Sequence, residues 1–266
     1  MKQAIDYATS VRLGLEHVSK HQQALADKLP FFLDTIDTGR GDPEFCLQRL
    51  SSHATAAALV SWFEHRDLNA FKQWCYVGGR LEYVLFRRQP KRWFPTYLLL
   101  APLLSDHEGL ISWFSRNDQP FDMERANDIR TAEFHGYQAL LALRGEWETL
   151  EERCLRIIGH SPTKMKKYEV DHNFYLALAR QDTARMEGSL SELTSPNVAK
   201  VRNAEQAFGF TEKLIGAHAV IYAKIAWRHG FQIRIDTPWI PEEWPPVNPL
   251  ASYVDPYDFL GEYQVG

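Results

Sequence analysis

Apolar side chains recur at helical spacing along nearly the whole stretch from residue 3 to residue 229, which commits the chain to an architecture of packed helices. In residues 3–27 the recurring positions are Ile5, Ala8, Val11, Leu15, Val18 and Leu25. The same spacing predicts helices over about 44–64, 68–86, 95–104, 106–115, 122–143, 147–158, 166–180, 183–192, 197–207 and 210–229. The stretch LPFFLDTIDTGRGDP, punctuated by Gly39, Gly41 and Pro43, reads as a break after the first helix, and Gln89-Pro90 ends the third. Strand signals are scarce. The best is the alternating run Phe231–Ile235, directly after Gly230, a glycine placed to cap the last helix.

A local pattern recurs at the helix junctions. SWFEHRD (61–67) and SWFSRND (112–118) share Ser-Trp-Phe and an Asp four residues after the Phe, and LLALRGE (140–146) and LALARQD (176–182) repeat a looser version. Asp67, Asp118 and Asp182 are placed to accept a hydrogen bond from an exposed amide of the following helix. Apolar residues follow such acids four and eight positions on: Phe71 and Cys75, Leu150 and Cys154, Met186 and Leu190. The four acids, Asp67, Asp118, Glu146 and Asp182, are separated by 51, 28 and 36 residues, too uneven for a strict tetratricopeptide array. The expected fold is therefore all-α: antiparallel helical hairpins, either repeat-like and right-handed or an irregular bundle.

From Asp236 the texture changes. The segment DTPWIPEEWPPVNPLASYVDPYDFLGEYQVG holds six of the fourteen prolines, so it forms neither a continuous helix nor a central strand. Its many large apolar groups, Trp239, Ile240, Trp244, Leu250, Tyr253, Tyr257, Phe259 and Leu260, argue against a disordered tail. The organisation expected is a helical domain over 1–235, with a subdivision near 90–120, and an extended Pro- and aromatic-rich segment, 236–266, packed on the helices. The charge divides at the same place. No Lys or Arg follows Arg234, and six acids fall in the last 31 residues, leaving 28 acids against 30 bases before them. An acidic end of this kind repels phosphate backbones and favours a basic partner surface, so direct nucleic-acid binding there is not expected.

The start of the chain has no apolar signal core, and the longest apolar cluster, Tyr97 to Leu104, is too short to span a bilayer. Cys46, Cys75 and Cys154 are scattered and flanked by hydrophobes, as reduced core thiols of a cytoplasmic protein are. Neither membrane insertion nor a cofactor is expected. His17 and His21 share a helix face but lack the intervening Glu of a zinc protease motif, and His107-Glu108 is not continued as one either, so no metal site is assigned. No nucleophile elbow and no glycine-rich phosphate loop is present: Gly78-Gly79 and Gly39/Gly41 lack that context. Glu151-Glu152 reads as solvated surface, and the basic clusters Arg87, Arg88, Lys91, Arg92 and Lys164, Lys166, Lys167 as turns or helix-end cations. No catalytic residue is nominated, and an enzyme with a dispersed site is the least favoured reading.

Four stretches of the second half, DHNFYLALARQDTARMEGSLSEL (171–193), GAHAVIYAKIAWRHG (216–230), IRIDTPWIPEEW (233–244) and PLASYVDPYDFL (249–260), stand out within about 165–260. Through them the chain resembles the immunity protein 49 family of bacterial polymorphic toxin systems. The resemblance implies a mostly helical cytoplasmic protein, encoded beside a toxin that it binds and blocks. The toxins of such systems are often nucleases delivered by contact-dependent or type VI secretion. The alternative is a helical-repeat scaffold or adaptor that binds a peptide or protein.

For contact with such a partner the expected residues are Trp239, Glu242, Glu243, Trp244, Asp255, Tyr257 and Asp258. Trp and Tyr supply contact area and the acids complementarity. The competing reading is that these aromatics only staple the segment to the helices. The aromatic surplus also permits a homodimer.

Overall fold

The computed structural model describes residues 6–206 and 211–265. Among them are thirteen α-helices and no strand. The chain separates into two compact units. The first comprises residues 1–92, 98–114 and 248–266, and the second residues 93–97 and 115–247.

In the first unit α1 (Tyr7–Ala26), α2 (Leu29–Thr38), α3 (Pro43–Phe63) and α4 (Leu68–Arg88) are followed by α5 (Leu100–Ser105) and α6 (Glu108–Arg116), whose last two residues fall in the second unit. Helix α3 packs against α1, α2 and, most extensively, α4. Asp6, Asp42 and Asp67 open α1, α3 and α4, each accepting a bond of 2.9 Å from the amide three residues on. Ile5, the first position of the periodicity in α1, lies outside the described residues. Helix α2 corrects the break expected at LPFFLDTIDT. Pro30 sits in its first turn, where no intrahelical amide bond is lost, and Gly39 closes it at φ +66°. Gly78 and Gly79 serve close packing within α4. A Cβ on Gly79 would come within 3.1 Å of Leu110 and 3.4 Å of Pro102.

The second unit contains α7 (Met123–Ala126), α8 (Ala132–Arg144), α9 (Trp147–Leu155), α10 (Glu169–Ala179), α11 (Thr183–Leu193), α12 (Pro196–Gln206) and α13 (Ala217–Arg228). A 3₁₀ turn, Thr163–Tyr168, leads into α10, which packs on both α9 and α11. Positions 207 and 210, expected in the last two helices, lie outside the described residues.

The junction pattern has a common geometry. The residue before the acid takes a left-handed conformation at Arg66 (φ 55°), Gly145 (φ 72°) and Gln181 (φ 58°). The amides of Glu146 and Asp182 then close back on the carbonyls of Leu141 (3.1 Å) and Ala177 (2.8 Å). Asp182 caps α11 through the amide of Arg185 at 3.0 Å. Asp118 is the exception and corrects the expectation made for it. The cap of α7 is Asp122, and Asp118 instead pairs with the Arg144 guanidinium. Gly188, mid-helix in α11 and exposed, would meet nothing within 4 Å if given a Cβ. Gly188→Ala is expected to raise unfolding free energy by about 1 kcal/mol, through the lower backbone entropy of an unfolded alanine, as an upward shift of the urea midpoint.

The run Phe231–Ile235 is not a strand. Its backbone groups find local and side-chain partners instead: the Phe231 and Ile233 amides donate to the carbonyls of Ala226 (3.0 Å) and Phe231 (2.9 Å), Trp227 Nε1 donates to the Ile233 carbonyl at 3.1 Å, and the Arg234 amide donates to Glu187 at 2.8 Å. With those groups engaged, no strand partner is needed. Further on, Lys224, wholly buried in α13, donates to the carbonyls of Trp244 (3.1 Å) and Pro246 (2.8 Å).

In the first unit, side chains of α4 hold the segment 248–265. Lys72 Nζ pairs with Asp106 Oδ2 at 2.7 Å and donates to the Asn248 carbonyl. Gln73 exchanges two bonds with the Val254 backbone, at 2.7 and 3.1 Å. Arg80 donates to the Leu260 carbonyl at 2.5 Å, and the Tyr83 hydroxyl donates to the Gln264 carbonyl at 2.7 Å. A proline-broken backbone that lacks a ladder thus takes several of its hydrogen bonds from one helix, with the Asp106 carboxylate accepting the Asn248 amide at 3.1 Å.

Candidate functional site

The residues expected to touch a partner separate by burial. In the second unit Ile240 (4% exposed) and Trp244 (1%) anchor a turn, and the two residues before Trp244, Glu242 and Glu243, are left exposed on it. Trp239 is half-buried, its carbonyl accepting the Gly216 amide at 2.9 Å. In the first unit Tyr257 is buried and stacks on Phe259, with the ring planes 1° apart. Burial pushes its phenol up to about 12. Asp255 pairs with Arg80 at 3.1 Å, and Asp258 is exposed at the start of the 3₁₀ turn Asp258–Glu262. The buried aromatics hold the segment in place, and the exposed carboxylates are the groups a partner can reach.

The other candidates resolve into structure. Cys46, Cys75 and Cys154 are buried and share no disulfide, and burial raises the thiols of Cys46 and Cys154. No group of three or more His, Cys, Asp or Glu able to hold a metal occurs among the described residues. Arg92 pairs with Glu82, Arg88 with Glu44 at 3.5 Å, and Arg87 donates to the Tyr83 hydroxyl at 2.7 Å, so these cations complete the end of α4. Glu151 pairs with Arg180 at 2.7 Å, and Glu152 is exposed.

A denser polar constellation, unremarked in the sequence, lies inside the second unit. Arg202 of α12 (2% exposed) donates from Nη2 to Asp171 Oδ1 of α10 at 2.7 Å, and the Tyr222 hydroxyl of α13 donates to the same oxygen at 2.6 Å. Burial works against the Arg202 charge, but the Asp171 carboxylate more than offsets it and holds its pKa above the ordinary value.

Beside this pair runs a relay. Arg153 Nε donates to Gln138 Oε1 at 2.7 Å, which leaves the Gln138 amide nitrogen to donate to His172 Nδ1 at 3.3 Å. His172 Nε2 then carries a proton toward His135 Nδ1, 2.7 Å away. Burial, reinforced by Arg202, lowers His135 to about 4, and burial with His135 beside it takes His172 well below its ordinary value, so both rings are neutral. Tyr168 stacks on His135 with ring centres 4.3 Å apart, and the Arg202 guanidinium lies 4.7 Å from the Tyr168 ring centre.

The family model described as immunity protein 49 matches residues 95–244, more than half of the chain. The chain belongs to the immunity protein 49 family. No curated protein and no solved structure matches it. The match begins well before residue 165, where the recognisable motifs start, and ends at Trp244, short of PLASYVDPYDFL. It takes in Arg202, Asp171, Tyr222 and the histidine relay, as well as Glu242 and Glu243. An immunity protein is a non-enzymatic inhibitor, which implies a cognate toxin as partner. The signal that marks the polar constellation in the sequence is Asp171-His172, which with Asn173 interrupts the otherwise apolar run from Val170 to Leu178. The partners of those two residues come from helices more than 30 positions away in either direction, which no local pattern reveals.

Proposed function

We propose that the protein neutralises, in the cytoplasm, a toxin encoded by an adjacent gene, by binding it with a surface that includes the exposed carboxylates Glu242 and Glu243. The observation that carries this reading is the match to immunity protein 49 over residues 95–244. The acidic, lysine- and arginine-free end of the chain suits a toxin with a basic face, such as a nuclease cleft delivered by contact-dependent or type VI secretion. Asp255 and Asp258 extend the same chemistry on the first unit. Among the described residues no helix is long and apolar enough to cross a membrane, which fits action on a protein partner rather than within a bilayer.

The test has two parts. Co-expression with the product of each neighbouring gene should yield one complex of defined stoichiometry and rescue growth from that product's toxicity. Failure with every neighbour would overturn the reading. The double substitution Glu242→Lys, Glu243→Lys should then weaken the complex by about tenfold or more, chiefly through slower, salt-dependent association. Its melting temperature should match the parent, because both side chains are exposed. Unchanged affinity would remove these two residues from the contact.

A further inference from the structure

The second unit encloses a cavity of about 290 Å³, walled by α8, α10, α12, α13 and residues 93–97. Its opening is marked by two lining residues that remain accessible, Trp93 (47% exposed) and Ala132. That volume is at the lower end of small-molecule sites. Its polar wall is not satisfied from within. Arg202 lines the cavity at 2% exposure, yet its Nε and Nη1 find no hydrogen-bond partner, and His135, whose Nε2 the relay leaves protonated, lines the same wall. The one acceptor left over is Asp171 Oδ2.

Native interiors leave few such groups, each costly, and a charged one most of all. Here two of them belong to one guanidinium of the cavity wall, that of Arg202. The charge is unbalanced in the same sense. Arg153 (5% exposed), in the same unit, is bonded only to neutral oxygens of Gln138, Asn127, Ala126 and Phe134, while the buried Asp171 carboxylate is paired with Arg202. Tyr97, Tyr168, Tyr222 and Trp93 give the walls an aromatic share, beside Pro95, Thr96, Ala132 and Gly136.

We propose that this cavity is a binding site for a small organic anion, whose carboxylate or phosphate meets Arg202 and His135 and whose planar body lies against the tyrosines. A guanidinium with free N–H groups in a site sheltered from water favours such a head group. The aromatic walls favour a flat apolar body over a bare inorganic ion.

The experiment is titration calorimetry of the full chain with phenyl phosphate and, separately, inorganic phosphate. Phenyl phosphate should bind with 1:1 stoichiometry, a Kd below about 1 mM and higher affinity than phosphate. Arg202→Gln should weaken it at least tenfold. If that variant does not fold, Ala132→Trp decides. It places an indole at an exposed lining position outside the ion-pair network, and should keep the parent melting temperature while losing binding. No binding of phenyl phosphate by the parent, affinity no higher than for phosphate, or undiminished binding by Ala132→Trp would each overturn the proposal.

Discussion

Acidification from pH 7 to pH 5 is expected to remove about 5 kcal/mol of the second unit's stability, well before most carboxylates titrate. His135, His172 and His218 are all buried, and burial is the first cause holding each below its ordinary value, to about 4 for His135 and well below it for the other two. Arg202 adds to the depression in all three. The folded unit keeps these rings neutral, whereas in the unfolded chain each takes up a proton near pH 6.5. Below that pH the unfolded state binds more protons, so stability falls with pH, at up to about 1.4 kcal/mol per unit for each ring. The loss continues until a ring can be protonated in the folded state as well, near pH 4 for His135. Urea unfolding at pH 7, 6 and 5 measures it, and a flat profile would refute it. His218→Met separates the contributions. Neither nitrogen of His218 has a hydrogen-bond partner, so the substitution should cost little at pH 7 and remove about a third of the slope.

The helices were legible because their signals are local. Apolar spacing over 44–64 and 68–86 anticipated α3 and α4 to within two residues, and Asp67 and Asp182 cap as their positions indicate. Helix α2 is not legible in this way, because Gly39, Gly41 and Pro43 suggest a break reaching back over LPFFLDTIDT. In fact the glycines terminate a helix, and Pro30 is harmless in its first turn. Asp118 was misassigned because its sequence context copies that of Asp67, while the long-range partner Arg144 decides its role. Phe231–Ile235 alternates like a strand, yet alternation alone supplies no neighbouring strand.

The sites follow the same division. Exposure of Glu242 and Glu243 follows from apolar anchors close on either side, Ile240 and Trp244, which the sequence displays. The burial of Trp244 and Tyr257 was open, since an aromatic in a proline-rich segment suits a core and an interface equally. The cavity was invisible, because its walls come from segments scattered from Trp93 to Tyr222 and its polar residues are single substitutions on apolar faces.

Asp171→Ala is expected to destabilise the second unit by about 3–5 kcal/mol, because it strands a buried guanidinium. Arg202 and Tyr222 converge on one Asp171 oxygen at 2.7 and 2.6 Å, and all three residues are at most 3% exposed. Without the carboxylate, Arg202 is left with its charge uncompensated and a third nitrogen without an acceptor, and the Tyr222 hydroxyl loses the bond recorded for it. Arg202→Met on the Asp171→Ala background should recover a large part of the loss, since an apolar side chain of similar length carries no charge to desolvate. Chemical denaturation of the two variants measures both effects. A stability of Asp171→Ala within about 1 kcal/mol of the parent would show that the pair is not dry. In a cell, Asp171→Ala should fail to protect because little folded protein accumulates, whereas Glu242→Lys, Glu243→Lys should fail at normal abundance. Immunity can therefore be lost by two separable routes, and comparing soluble protein with growth rescue in the same culture tells them apart. Equal abundance of both variants, with protection lost in both, would instead place Asp171 in the machinery of recognition.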